Sequence, residues 1–225
     1  MADLLANFDE AFWPALVAMA LRLGTSAADH LAVFWSESRL NPRCIAVYPT
    51  RDGPPSGRCY EPGFEKNVAA AGLNQMTAVA MDATGFPKVE PFHARAKAYA
   101  ELPPSAQLPY IERFHQTYAS YIRGGGLGML YVANAFPGLL AEAKKGPDVP
   151  LARKGTAIYA GNAGVDKDKK GYITLRDLES LAQEANKDPI FRAALAKLGD
   201  VAMTTSTASL TTRGLAVLIT SGHKR

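Results

Sequence analysis

The chain has 225 residues, 48% apolar and 20% charged, with a net charge of +4 and a sequence pI near 9.0. This is the composition of a soluble globular protein able to bury a substantial core, in one domain or one domain plus an appendage. The mild basic excess suits an anionic polymer such as a cell wall, and equally nucleic acid or no charged partner; no basic-aromatic array of the kind that binds single strands occurs, and no nucleic-acid partner is expected.

The acidic N-terminus, Met1 to Glu10, has no leading positive charge and does not read as a secretory signal. The apolar run Ala11 to Leu21 contains Pro14, stops at Arg22 and is too short to span a bilayer. The expectation is a chain made in the cytoplasm, with no membrane span and no export by the general secretory route. Asp9 to Leu23 reads as a first helix, with Phe12, Leu16, Met19 and Ala20 on one side and Gly24 ending it.

A second helix starts at Thr25 or Ser26, either of which can cap it, and Asp29 lies near its positive end. Leu31, Phe34, Trp35 and Ser38 follow at helical spacing. Pro42 forces Asn41 out of helical geometry, so the helix ends close to Glu37. The helix dipole and apolar neighbours both push a carboxyl there toward its neutral form. A carboxyl that keeps its proton near neutral pH is what protonation of a glycosidic oxygen requires. The plain alternative is a solvated Glu at a helix end.

Asn41 to Lys66 is rich in Pro, Gly and charge and reads as a long loop or a small hairpin. It holds both cysteines, Cys44 and Cys59, which are either free thiols or a disulfide. Such a bond would stabilise by roughly 3 kcal/mol in the chain-entropy model. No further Cys and no His lies nearby to complete a zinc site.

Helices are expected over Met76 to Thr84, over Val89 to Glu101, and from Ala106 to Arg123 with Ser105 as cap. Leu108, Ile111, Phe114, Tyr118 and Ile122 form the apolar stripe of the last of these. Gly124 to Gly128 reads as a turn and lacks the Gly-Lys-Ser/Thr of a phosphate loop. Met129 to Lys144 reads as the next helix, with Thr174 to Asn186 and Asp188 to Lys197 beyond it. Met203 to Thr212 is rich in Ser and Thr, and Leu215 to Ile219 is strand or helix. His30 lies two turns before Glu37, whereas His93, His115 and His223 show no metal or nucleophile spacing.

Four stretches carry two known patterns. Asn162 to Asp177 resembles an EF-hand calcium loop: Asp166 and Asp168 fit the first and third positions, Gly171 the sharp turn, Tyr172 the backbone carbonyl and Asp177 the last ligand. Lys170 takes the fifth position, so either Ca2+ binds or the Lys ammonium stands in for it. Glu37-Ser38-x-x-Asn41-Pro42, followed by Ala70-x-Gly72-Leu73-x-Gln75, resembles the lytic transglycosylases of the soluble-lytic type, relatives of goose-type lysozyme. Tyr131 to Gly138 looks like a variant of that family's third motif, matching it at Asn134, Ala135, Pro137 and Gly138. Ala133 stands where the family has Tyr. Tyr131, two residues earlier, lies on a different face of a regular helix and substitutes only if the backbone is irregular.

The resemblance implies a mainly α, lysozyme-like α+β fold with the long loop or hairpin beside the cleft. It implies a single catalytic domain over residues 1–225, in which 146–225 can form a C-terminal helical extension holding the EF-hand-like loop. Glu37 would be the catalytic acid and base and Ser38 its polar helper. Gly72, Leu73, Asn74, Gln75, Tyr131 and Asn134 would line the sugar groove, with Asn74 in place of the usual Met. The implied reaction cleaves peptidoglycan between N-acetylmuramic acid and N-acetylglucosamine, leaves a 1,6-anhydromuramic end and requires no cofactor. Phage-type members often carry a similar Asp-rich loop followed by Gly-x-Ile-Thr, so virion or phage tail proteins are implied partners. The alternatives are a hydrolytic muramidase, with Glu61, Glu65 or Asp82 as second carboxylate, and an inactive wall-binding part of a phage tail.

Overall fold

A computed structural model of the chain describes residues 4–47 and 67–201. The fold is mainly helical with two small antiparallel sheets, as the sequence pattern implies. Helix α1 (Phe12–Leu23) stops at Gly24, which takes φ 70°. Helix α2 (Ala27–Ser38) starts at Ser26, whose hydroxyl accepts from the Ala28 N–H at 3.2 Å. It ends where Arg39 and Leu40 turn left-handed, at φ 56° and 60°. The Leu40 N–H then reaches back to the Phe34 carbonyl at 3.4 Å, which closes the helix end.

Strands β1 (Ile45–Val47) and β2 (Val68–Ala71) pair antiparallel, Ile45 opposite Ala71. A tight turn over residues 72–75 follows, closed by the Ala71–Met76 bridge. Helices α3 (Ala78–Ala83), α4 (Phe92–Ala100) and α5 (Pro104–Gln116) come next. Helix α5 begins on Pro104 at its first position, where a missing N–H costs nothing. Ser105 is therefore inside the helix, and its N–H binds Asp9 at 3.1 Å. The expected run to Arg123 breaks at Tyr118, and α6 (Ala119–Ile122) is a separate turn.

Gly126 and Gly128 lie in helix α7 (Gly126–Ala135) instead of the expected turn. A Cβ on Gly128 would come within 2.8 Å of Leu175, so the glycine allows close helix packing there. Phe136 and Pro137 break the next expected helix, leaving α8 (Leu140–Ala143). Strand β3 (Ala152–Arg153), helix α9 (Ala157–Asn162) and strand β4 (Tyr172–Ile173) were not anticipated as elements. Helix α10 (Leu175–Glu179) opens on a reciprocal cap between Thr174 and Asp177. Helix α11 (Leu181–Ala185) and helical backbone over 189–201 follow.

Two apolar cores result. The larger joins Phe12, Leu16, Phe34 and Leu130 to Leu178, Ala185 and Phe191, so the segment after residue 146 shares the core of the N-terminal helices. The smaller gathers Ile45, Met76, Met81, Phe86, Tyr99 and Phe114 beneath the β1–β2 hairpin. Among the described residues, no helix is long and apolar enough to cross a membrane.

Candidate active site

Three adjoining cavities form a groove with Glu37 in the central one. The central cavity, about 400 Å³, is lined by Ser36, Glu37, Gln75, Tyr131, Asn134 and others. On one side it shares Gln75, Thr77, Asn134 and Ala135 with a cavity of about 210 Å³. On the other it shares Ser36, Tyr131 and Asn162 with one of about 370 Å³. An acid placed midway along an open groove suits a polymer better than a small solute.

Glu37 sits in the last turn of α2 and keeps partial exposure to the groove. Burial pushes its carboxyl from 4.5 up to about 7, against hydrogen bonding by Tyr131 and Asn134, which favours the anion. Both protonation states are therefore accessible near neutral pH.

Tyr131 and Asn134 lie three residues apart on α7, and that spacing puts them on one face. Tyr131 thus reaches Glu37 from a regular helix, without the irregular backbone the sequence argument demanded. Its hydroxyl accepts from Ser36 Oγ at 3.5 Å. Burial and then the Glu37 charge push its own titration upward, so it stays a proton-bearing donor. Ser36 is the serine that borders the groove. Ser38 is buried, and its hydroxyl donates to the Phe34 carbonyl one turn back at 2.9 Å.

The turn after β2 forms the facing wall. Gly72 has φ 81°, and a Cβ there would come within 2.4 Å of the Tyr99 ring and 2.7 Å of Gln107. Leu73 is buried in the larger core, so its side chain supports the groove from behind. Asn74 Nδ2 donates to Asn134 Oδ1 at 3.3 Å, and Asn134 Nδ2 donates to the Asn74 carbonyl at 3.2 Å. Gln75, at φ 53°, donates from Nε2 to the carbonyls of Gly72 at 2.8 Å and Cys44 at 3.3 Å.

Gln107 on α5 escaped the sequence reading. It is fully buried; its Oε1 accepts from the Leu73 N–H at 2.9 Å and its Nε2 donates to the Pro42 carbonyl at 2.9 Å. One amide thus ties the chain leaving the Glu37 helix to the opposing wall. The signal was available, since Gln107 lies four residues before Ile111 on a largely apolar stripe. His115 shares that stripe. It is buried against His30, ring centroids 5.3 Å apart, and burial holds it down at about 4. His30 is buried too and contacts Thr25 Oγ1 at 2.9 Å through Nε2.

Of the candidate second carboxylates, Asp82 pairs with Arg95 at 2.7 Å and does not line the central cavity. Glu61 and Glu65 lie outside the described residues. Cys44 is buried and disulfide-bonded, and Cys59 lies outside the described residues.

The EF-hand-like loop has a donor set that does not fit Ca2+ as folded. Lys170 Nζ binds Asp177 Oδ1 at 2.6 Å, while Asp177 Oδ2 accepts from Thr174. Asp166 accepts from Tyr159 Oη and from the N–H groups of Lys170 and Gly171. A fixed ammonium inside the loop replaces part of the charge a cation would bring. Asp168 and Tyr172 complete no cluster; among the described residues, no group of three His, Cys, Asp or Glu side chains could hold a metal.

Comparisons with protein-family models, with curated proteins and with solved structures give no match.

Proposed function

We propose that the chain is a peptidoglycan lytic transglycosylase with Glu37 as both acid and base. The observation that supports this most is a carboxyl tuned to about 7 midway along an open groove. In its neutral form Glu37 protonates the glycosidic oxygen between N-acetylmuramic acid and N-acetylglucosamine. That C–O bond breaks, and the muramic C6 hydroxyl closes onto C1. The Glu37 carboxylate then takes the hydroxyl proton, which restores the acid and leaves a 1,6-anhydro end.

Tyr131 and Asn134 hold the carboxyl and stabilise its anion when it forms. This route consumes no water and asks for no second carboxylate. It agrees with a central cavity in which Glu37 is the sole carboxylate among the described residues. Peptidoglycan glycan strands are the partner this reading names, and a virion or phage tail is the assembly that would bring the chain to them.

The test is clearing of purified cell walls. The unmodified chain should clear them. Glu37→Gln should lose about 10²-fold or more, the range in which acid–base assistance falls. Clearing by Glu37→Gln at the unmodified rate overturns the assignment.

A further inference from the structure

The cavity of about 370 Å³ that shares Ser36, Tyr131 and Asn162 with the Glu37 cavity carries none of the steps above. One wall comes from the end of α2, with Trp35 and Arg39. Another comes from the C-terminal segment, with Gly161, Gly164, Lys167 and Glu184. That second wall lies beyond Gly138, outside the motifs that resemble the transglycosylases.

Arg39 and Lys167 are both exposed, so their cationic ends are open to solvent and to a ligand. Arg39 is also held in place. Its guanidinium carbon sits 3.9 Å from the centroid of the Trp35 ring. The indole is fixed in turn, because its Nε1 donates to Asp188 Oδ2 at 2.9 Å and Asp188 Oδ1 accepts from the Ile190 N–H at 2.8 Å. Stacking covers a guanidinium face and leaves its N–H edges for an acceptor. Among the described residues, neither Arg39 nor Lys167 has an ion-pair partner. The acid in the same wall, Glu184, is engaged by Lys187 at 2.8 Å.

A pre-set guanidinium and an unpaired lysine on one cavity call for an oxyanion. The guanidinium fork matches the edge of a carboxylate or of a phosphate. Glu184 in the wall and Asp188 beside Arg39 offset part of the positive field, which favours a singly charged group over a phosphate dianion. In peptidoglycan, groups of that kind are the carboxylates of the peptide that hangs from the lactyl group of muramic acid. Room for a peptide exists, since a Cβ at Gly161 or Gly164 would meet nothing within 4 Å. We propose that Arg39 and Lys167 form a subsite for a carboxylate of the peptide carried by a muramic acid bound beside Glu37. This inference rests on the glycan-cleaving reading above and gives the C-terminal segment a part in choosing the substrate.

The experiment measures binding of three probes to the full chain carrying Glu37→Gln, which prevents turnover. The probes are the disaccharide of N-acetylglucosamine and N-acetylmuramic acid bearing L-alanyl-D-glutamate, the same compound with both glutamate carboxyls amidated, and inorganic phosphate. The acid should bind about tenfold more tightly than the diamide, or better, the value of one charge-assisted hydrogen bond. Adding Arg39→Gln should bring that ratio close to one without weakening the diamide, and adding Lys167→Gln should narrow it. Should the Arg39 variant fail to fold, the exposed Lys167 variant and the salt dependence give the answer. The ratio should shrink as salt screens the pair. Equal affinities for acid and diamide, a ratio indifferent to salt and to both substitutions, or binding of neither compound would each overturn the subsite. Phosphate binding more tightly than the acid, and lost with Arg39→Gln, would reassign the cations to a phosphate and overturn the peptide. Clearing of walls by the unmodified chain is read separately, so loss of the subsite alone is distinguishable from loss of the glycan-cleaving reading.

Discussion

Glu37→Gln should stabilise the folded chain at alkaline pH while abolishing its activity. A carboxyl moved from 4.5 to about 7 keeps its proton in the folded chain where the unfolded chain has released it. Between those values the folded state binds more protons, so stability falls as pH rises through the window. At about 1.4 kcal/mol per pH unit the full penalty approaches ~3 kcal/mol above neutrality. Gln is neutral at every pH and escapes it. Wild type and variant should therefore melt together below pH 4.5 and diverge up to pH 8. At roughly 2–4 °C per kcal/mol for a chain of this size, the variant should end about 6–12 °C higher. His30 and His115 also titrate in acid, but they do so in both proteins and cancel in the difference. The assay is a pair of thermal melts at half-unit pH steps. A difference that stays flat from pH 4.5 to 8 would show that Glu37 is not buried as described, and the acid role would lose its physical basis.

Tyr131→Phe removes a donor that favours the Glu37 anion. The alkaline limb of the pH–rate profile should move upward while kcat falls, and an unmoved limb would detach Tyr131 from the acid. Reductant should lower the melting temperature by an amount corresponding to about 3 kcal/mol if Cys44 and Cys59 close the loop between them. Cys44→Ser should match the reduced chain, and equal melting with and without reductant would refute a stabilising bond. Chelator should leave stability unchanged, because Lys170 already occupies the Asp-rich loop. Lys170→Asp should make the melting temperature rise with calcium, and a wild-type chain weakened by chelator would contradict this.

The sequence made the helices legible wherever apolar spacing and a cap agreed. Ser26, Gly24 and the Asn41–Pro42 break place Glu37 at a helix end, and the structure puts it there. Helix breaks were harder to see. Tyr118 and Phe136 interrupt runs whose periodicity continues, and Gly128 sits in a helix because packing against Leu175 outweighs its turn preference, whereas Gly126, at φ 69°, keeps a turn conformation where α7 begins. Strands of two residues, such as β3 and β4, are too short to display alternation.

At the site, a local argument about one helix misjudged Tyr131. It asked whether Tyr131 could imitate a neighbouring position. The telling relation was its three-residue spacing to Asn134, which lets both reach Glu37. Gln107 and His115 act across sequence separations that no motif spans, and the mark they left was a polar residue on an apolar stripe. In sequence Asn74 reads as groove lining in place of the usual Met. In the folded chain it is an amide tied to Asn134 with one oxygen to spare.

The central claim is that one carboxyl cleaves the strand without water. Mass spectrometry of peptidoglycan digested by the full chain measures this directly. The account predicts muropeptides ending in 1,6-anhydromuramic acid, 18 mass units below their hydrolysed counterparts by about one water, and none from Glu37→Gln. Reducing muramic ends in their place would show that water is the nucleophile and would contradict it.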